Sequence, residues 1–346
     1  MMWVKGELLT DIDAPGVDPT GQLERAAQPV PFDRRAWLRS VWRHDGSVPL
    51  VCRAASEGAL CWLFLKRDGT GAVSSLSNAY SLAFRPVFSG NPDPERQRAM
   101  LVAIAKRLRM ARPRIASLTL SPVPDSDGSA SLLQNALKSA GWASVIRETS
   151  ASGSAAVAGQ SFEAYWAARP GHLRSRFRDE VAKASFDTQV FTRLDADAWQ
   201  ALEETCRGGS TPGAGTSGFL EEVAAAESEA GCLRLGLCRI DEAVVAGQLW
   251  TVENGVARCH LTACREGASG RSPGTILTAA MLHHLIDEDK VDTIDFGAGD
   301  EGNKADWVDG SAPLFRVEAY NPAMLAGLWG ATKARLSGLV GRQTAR

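Results

Sequence analysis

The chain has 346 residues, of which 45% are hydrophobic and 23% charged, so it can hold two domains of about 150 residues and is too apolar for large-scale disorder. A formal net charge of −2 argues against bulk nucleic-acid binding and leaves only a local basic patch for a phosphorylated ligand. The seven cysteines, at 52, 61, 206, 232, 238, 259 and 264, form no CxxC pair and no zinc-type Cys/His spacing, so they read as reduced core residues and no metal is expected.

The N-terminus, MMWVKGELLTDIDAPG, lacks the basic-then-apolar pattern of a secretory signal, and nowhere do 18 apolar residues run together, so no transmembrane segment and a cytoplasmic location are expected. Residues 1–30 are rich in Pro, Gly and Asp and read as an irregular arm. From residue 31 the pattern becomes regular, with Asp33 placed to cap a short helix ending near Trp42. Three strands, PLVCRA, ALCWLFLK and AVSSLSN, follow across turn-prone breaks. The helix predicted over 94–110 carries Met100, Ile104 and Leu108 in one stripe. Strand IASLTLS, helix SLLQNALKSAG and strand WASVIRE complete a first domain, 31–150. The small polar run SASGSAAVAGQ, 150–160, reads as a linker or a long exposed turn.

A second domain is predicted over 151–322, with a tail at 323–346. Helices are expected at 162–168 and 173–184, the latter with Leu173, Phe177 and Val181 on one face. Arg174 and Arg178 lie one turn apart on another face, spaced to clamp a phosphate or carboxylate or to form a solvated basic surface. Two more helices flank the glycine-rich break GGSTPGAGTSG, and a meander begins at Leu233 whose Asn254-Gly255 pair is a strong hairpin signal. A helix then starts sharply at Ser272-Pro273-Gly274. Its first turn lacks bulky side chains, which suits an anion such as a phosphate. After the next strand comes a polar turn with Asp300, Lys304 and Trp307. A phosphate cradle beside acid and amine groups points to a transferase. The second half repeats the element order of the first, without a visible sequence repeat, and residues 323–343 read as a basic-ended helix.

FEAYWAARPGHLRSRFRDEVAKA (162–184), RSPGTIL (271–277), DFGAGDEGNKADW (295–307) and FRVEAYNP (315–322) together resemble the CelD-type acetyltransferase family of bacterial cellulose synthesis. That family is a branch of the GNAT superfamily related to Fem-type transferases. LSNAYS (76–81) is similar to part of the degenerate GNAT-like domain that often precedes it. The resemblance implies an α/β (α+β) fold of two tandem GNAT-like domains, each a mixed, mostly antiparallel central sheet flanked by helices. It also implies an acetyl-CoA or longer acyl-CoA donor and an amine acceptor on a small molecule, sugar or peptide. By the same resemblance Gly270, Arg271, Ser272, Gly274 and Thr275 cradle the coenzyme A pyrophosphate. Two departures stand out: Asn303 occupies a position before Lys304 that is often aromatic, and the loop REGASGRSPG is longer than in ordinary GNAT enzymes.

Direct acyl transfer needs a base for the amine proton and a donor for the thioester oxygen. His260, on the last meander strand, is the first choice of base, with Asp295 and Asp300 as rivals or partners. Lys304 is placed to stabilise negative charge or to pair with Asp300, and Trp307 is either a core anchor or a substrate platform. Cys264 is a further nucleophile by residue type, although no base is evident beside it. His283 and His284 are adjacent on a helix, so they face different ways and form no metal pair. Two other readings stay open: a Fem-like enzyme using aminoacyl-tRNA, and a non-catalytic scaffold in a biosynthetic assembly.

Overall fold

Where composition predicts an irregular arm, the chain opens with a strand. In the computed structural model, which describes residues 4–68, 72–208, 218–266, 272–298, 304–330 and 332, β1 (Lys5–Leu9) pairs antiparallel with β2 (Val48–Ser56). Ile12, Val17 and Leu23 are fully buried beyond it, and the Trp62 indole N–H donates to the Val17 carbonyl at 2.6 Å. Arm residues without periodicity are thus held by single apolar anchors. Asp33 also departs from expectation. The N-cap position of α1 (Arg35–Asp45) is Arg34, and Asp33 accepts from the Arg85 guanidinium at 3.0 Å.

The chain divides into two compact units, Met1–Ser150 with Ala312–Arg346, and Ala151–Ser311. In the first, β2, β3 (Ala59–Arg67), β4 (Val73–Ser75), β5 (Val87–Ser89), β6 (Ser117–Pro124) and β7 (Ala143–Ala156) as far as Ser150 form a mostly antiparallel sheet, with α2 (Pro94–Arg109) and α3 (Ser129–Ser139) against it. Asp93 caps α2 through the Arg96 N–H, and Pro94 occupies the first turn, which fixes the helix start. Met100, Leu101, Ile104 and Leu108 face the core.

The second unit holds α4 (Phe162–Ala167), α5 (Gly171–Lys183), β8 (Asp187–Phe191), α6 (Ala196–Arg207), α7 (Gly218–Glu229), β9 (Leu233–Ile240), β10 (Ala243–Glu253), β11 (Val256–Cys264), α8 (Pro273–His283) and β12 (Thr293–Ala298). Strands β8 to β11 are antiparallel neighbours, while β12 runs parallel to β11 and antiparallel to β7. Asn254 and Gly255 both take positive φ, 51° and 72°, in the two-residue turn the sequence signals. Helix α8 is buried on nearly every side. It lies on Gly236, where a Cβ would stand 2.4 Å from the Met281 sulfur. Among the described residues no helix is long and apolar enough to cross a membrane.

Two expectations need correcting. Residues 151–156 are not a linker but strand, paired with β12, and a Cβ on Gly153 would stand 3.0 Å from Val308 Cγ1. β13 (Gly310–Tyr320), which the sequence division places in the second domain, pairs from Leu314 onward with β6 of the first unit.

Candidate functional site

Helix α8 starts at Pro273, whose fixed φ and missing N–H suit a first helical position. Ser272 before it takes a left-handed conformation (φ 43°, ψ 44°) and makes no side-chain capping bond, so a hydroxyl does not close the helix start. Gly274 lies against the preceding strand, where a Cβ would sit 3.0 Å from the Cys264 sulfur. A chain of buried hydrogen bonds ties this turn to the sheet. The Trp250 indole N–H donates to Gln248 Oε1 at 2.9 Å, and Gln248 Nε2 donates to Thr278 Oγ1 at 2.8 Å. Thr278 in turn donates to the Gly274 carbonyl at 2.8 Å. Gln248 is 1% exposed, a depth at which polar groups persist only when satisfied.

Strands β11 and β12 pair only from Val256/Thr293 to Arg258/Asp295, and among the described residues no ladder pair joins them further on. β11 runs on to Cys264 and β12 to Ala298 beyond that ladder. A β-bulge sits at the same place: Leu249 faces Leu261 and Trp250 faces Cys259, so His260 is the extra residue. Its Nε2 lies 2.9 Å from Thr251 Oγ1, and the ring is 8% exposed. Thr251, Arg258, Asp295 and Ser154 are in register across four strands and share one sheet face. Asp295 Oδ1 accepts from Ser152 Oγ at 3.1 Å and from the Gly297 N–H at 2.9 Å, which orients its carboxylate. The opposite face carries Ala257, Cys259 and Ile294 into the core.

The turn after β12 is anchored from α4 and α5. Trp307 is 3% exposed and packs on Trp166, with ring centroids 5.6 Å apart. The Tyr165 hydroxyl donates to the Trp307 carbonyl at 2.5 Å, and burial raises that phenol's pKa well above its ordinary value. Arg169, itself buried, stacks over the Tyr165 ring and donates to Asp309 at 2.5 Å, while His172 Nε2 lies 2.8 Å from Asp306. Two separated sequence motifs are therefore one physical unit. Tyr165→Phe is expected to destabilise the protein by about 1–2 kcal/mol in urea unfolding, because the Trp307 carbonyl loses a buried donor. An unchanged midpoint would show that another group serves that carbonyl.

Residues 166–305 match the acetyltransferase (GNAT) domain family. The matched segment, which spans under half of the chain, contains β11, β12 and α8. No curated protein sequence matches the chain. Among solved structures it is similar to the C-terminal domain of a protein assigned as a lysylphosphatidylglycerol synthetase from Agrobacterium fabrum (13% identity, TM-score 0.57, covering 91% of this chain and 94% of that one). It is also similar to FemX (12%, 0.54, covering 82% and 90%) and to a tandem GNAT protein from the clavulanic acid biosynthesis pathway (13%, 0.53, covering 91% and 98%). At such identities the likeness shows the fold: mixed α/β in two domains, each with a mostly antiparallel sheet flanked by helices.

Within the matched segment, Ser272, Gly274 and Thr275 come together at the start of α8, and His260 and Asp295 lie on the neighbouring strands β11 and β12. Gly270, Arg271 and Asp300 lie outside the described residues. Lys304 opens the turn that Trp307 closes. The burial of Trp307 commits its ring to packing, which corrects the reading of it as a substrate platform. Arg174 and Arg178 are both exposed on α5, and among the described residues neither carries an ion pair. Val181 is 49% exposed rather than buried, and Glu180 takes the inward place. Gln248, Thr278, Thr251 and Ser152 were not singled out by the sequence. One signal was present: Gln248 is the polar interruption in the apolar run VVAGQLW. Elsewhere among the described residues, Glu227, Cys232 and Glu253 bring ligand-type atoms within 4.8 Å of one another, with Glu227 and Cys232 buried.

Proposed function

We propose that the chain is an acyl-CoA-dependent N-acyltransferase of the CelD type, transferring an acetyl or longer acyl group directly to an amine of a small molecule, sugar precursor or peptide. The observation that carries this reading is the start of α8 without a side-chain cap, following a β11–β12 ladder that ends at Arg258/Asp295, inside the segment that matches the GNAT domain. The residues fit the donor. An open helix N-terminus suits a pyrophosphate, and Gly274 keeps the first turn clear of a side chain. In this reading Ser272, Gly274 and Thr275, with Gly270 and Arg271 of the preceding loop, hold the phosphates, and the strands beyond the ladder seat the acyl arm.

The acceptor nitrogen attacks the thioester carbonyl carbon, an N–C bond forms, and the C–S bond breaks. His260, held by Thr251, takes the proton from nitrogen, and the resulting imidazolium returns a proton to the departing thiolate, which leaves as the thiol. Asp295, oriented by Ser152 and Gly297, holds the acceptor ammonium before it loses its proton. Lys304 stabilises the developing negative charge, and Asp300 orients the base or binds the acceptor ammonium. Arg174 and Arg178 contact an anionic part of a substrate. Those two exposed arginines also favour a second reading, an aminoacyl-tRNA donor.

Intact-mass screening of amine acceptors against a panel of acyl-CoAs tests the proposal, together with calorimetric titration of each donor and of labelled aminoacyl-tRNA. Cysteine chemistry supplies a site-level readout. Burial pushes the Cys238 thiol up to about 12 and Cys206 to about 11, and Cys264 alone among the cysteines is not fully buried. Cys264 is therefore expected to alkylate first at pH 8, and a bound acyl-CoA to protect it. Absence of both donor binding and protection overturns the acyl-CoA reading. tRNA binding at low salt with no acyl-CoA binding favours the second.

A further inference from the structure

The C-terminal end of α2 carries an unopposed positive surface. Between Glu95 and Asp125 the sequence holds no acidic residue, while Lys106, Arg107, Arg109, Arg112 and Arg114 fall within nine positions. All but the half-buried Arg109 are exposed, and among the described residues none of the five makes an ion pair. Two of the guanidiniums give their hydrogen bonds to neutral carbonyls: Arg109 Nη1 to Ala140 at 3.3 Å, and Arg112 Nη1 to Met110 and Ala111 at 3.3 Å each. Such bonds hold a side chain without cancelling its charge. The first of them also brings the last turn of α3, where Lys138 is exposed, to the same end of the unit.

Folding accounts for part of this pattern. Cations in the last turn of a helix complement its dipole, which covers Lys106, Arg107 and Arg109. It does not cover Arg112 and Arg114, which lie past the helix, and like charges one turn apart, as at Lys106 and Arg109, destabilise a helix. Met110, 60% exposed, is three residues from Arg107 and four from Lys106, so it stands on the same helix face as both. An unbranched apolar side chain among fixed cations suits an anionic bilayer, whose phosphates meet the cations while the methionine enters the boundary beneath them. A nucleic-acid strand fits less well. Residues 96–124 hold no aromatic side chain on which a base would stack, and the chain as a whole is negative. We propose that the end of α2, from Lys106 to Arg114, is a peripheral contact for a membrane leaflet rich in anionic phospholipid.

Co-sedimentation of the full chain with vesicles of phosphatidylcholine alone, and of phosphatidylcholine with phosphatidylglycerol, tests this directly. Binding is expected only to the phosphatidylglycerol vesicles and is expected to weaken as salt rises. Arg107→Glu with Arg114→Glu is expected to lower vesicle affinity about tenfold or more, and Arg107→Gln with Arg114→Gln by a smaller factor. Circular dichroism is expected to stay unchanged in both, because among the described residues neither side chain makes a hydrogen bond or ion pair. Met110→Ser is expected to cost about threefold in vesicle affinity. A labelled single-stranded RNA covers the rival polyanion: RNA binding that the double reversal abolishes, without vesicle binding, would assign the surface to nucleic acid and overturn the proposal. Pelleting with neither vesicle, or a double reversal that binds as the wild type does, overturns it as well.

Discussion

Gln248→Leu is expected to cost about 2–3 kcal/mol of stability and to raise the donor KM about tenfold, while kcat changes little. The side chain bridges two fully committed partners, Trp250 Nε1–H on one side and Thr278 Oγ1 on the other, at 1% exposure. Leucine fills much of the same space but leaves the indole N–H without its acceptor, and an orphaned buried donor costs about 1–3 kcal/mol. Thr278 keeps its bond to the Gly274 carbonyl, yet the link from sheet to helix start is gone. The first turn of α8 is then held by apolar packing alone, so loss of affinity at the phosphate cradle, not loss of chemistry, is the expected kinetic signature. Thr278→Val removes the next link. Because the two residues share one bond, the double variant is expected to be more stable than the sum of single effects allows by about 1 kcal/mol. Equal donor KM in wild type and Gln248→Leu would separate the network from the cradle and leave it a purely structural device.

The sequence made some elements legible because their signals are local. The hairpin at Asn254-Gly255 needs only two residues able to take positive φ, and α2 needs only Asp93, Pro94 and a periodic apolar stripe. The strand at residues 151–156 has no such signal. Ala, Ser and Gly are weak strand formers, and their pairing is set by β12, far off in sequence. The short strands β5 and β8 lack enough residues to show an alternation, and the N-terminal arm is fixed by Ile12, Val17 and Leu23, whose burial follows no period.

The same division runs through the candidate site. Ser272-Pro273-Gly274 announces a helix start by itself, and the structure puts one there. The network behind it is silent in the sequence, since Gln248 and Thr278 are 30 residues apart and meet only when α8 lies on β10. The bulge at His260 is likewise a property of two strands in register and cannot be read from one of them. Trp307 shows the reverse error. An aromatic beside Asp and Lys looks like a ligand platform until Trp166 and Tyr165 are seen to enclose it.

His260→Gln separates the two uses a buried histidine has. Glutamine can keep a hydrogen bond to Thr251 Oγ1 from a similar position, so stability is expected to stay within about 1 kcal/mol of wild type. It cannot accept a proton at neutral pH, so kcat for amine acylation is expected to fall about 10²- to 10⁴-fold, the range a positioned general base supplies, with donor KM nearly unchanged. Thr251→Val removes only the partner that orients the ring and is expected to cost about tenfold in kcat. The order of these effects carries the argument, because a packing role predicts the opposite: a stability loss shared by both variants and no selective loss of turnover. If turnover survives His260→Gln, the base is elsewhere, and Asp295→Asn becomes the deciding variant, since its carboxylate lies in the row of the sheet where the β11–β12 ladder ends.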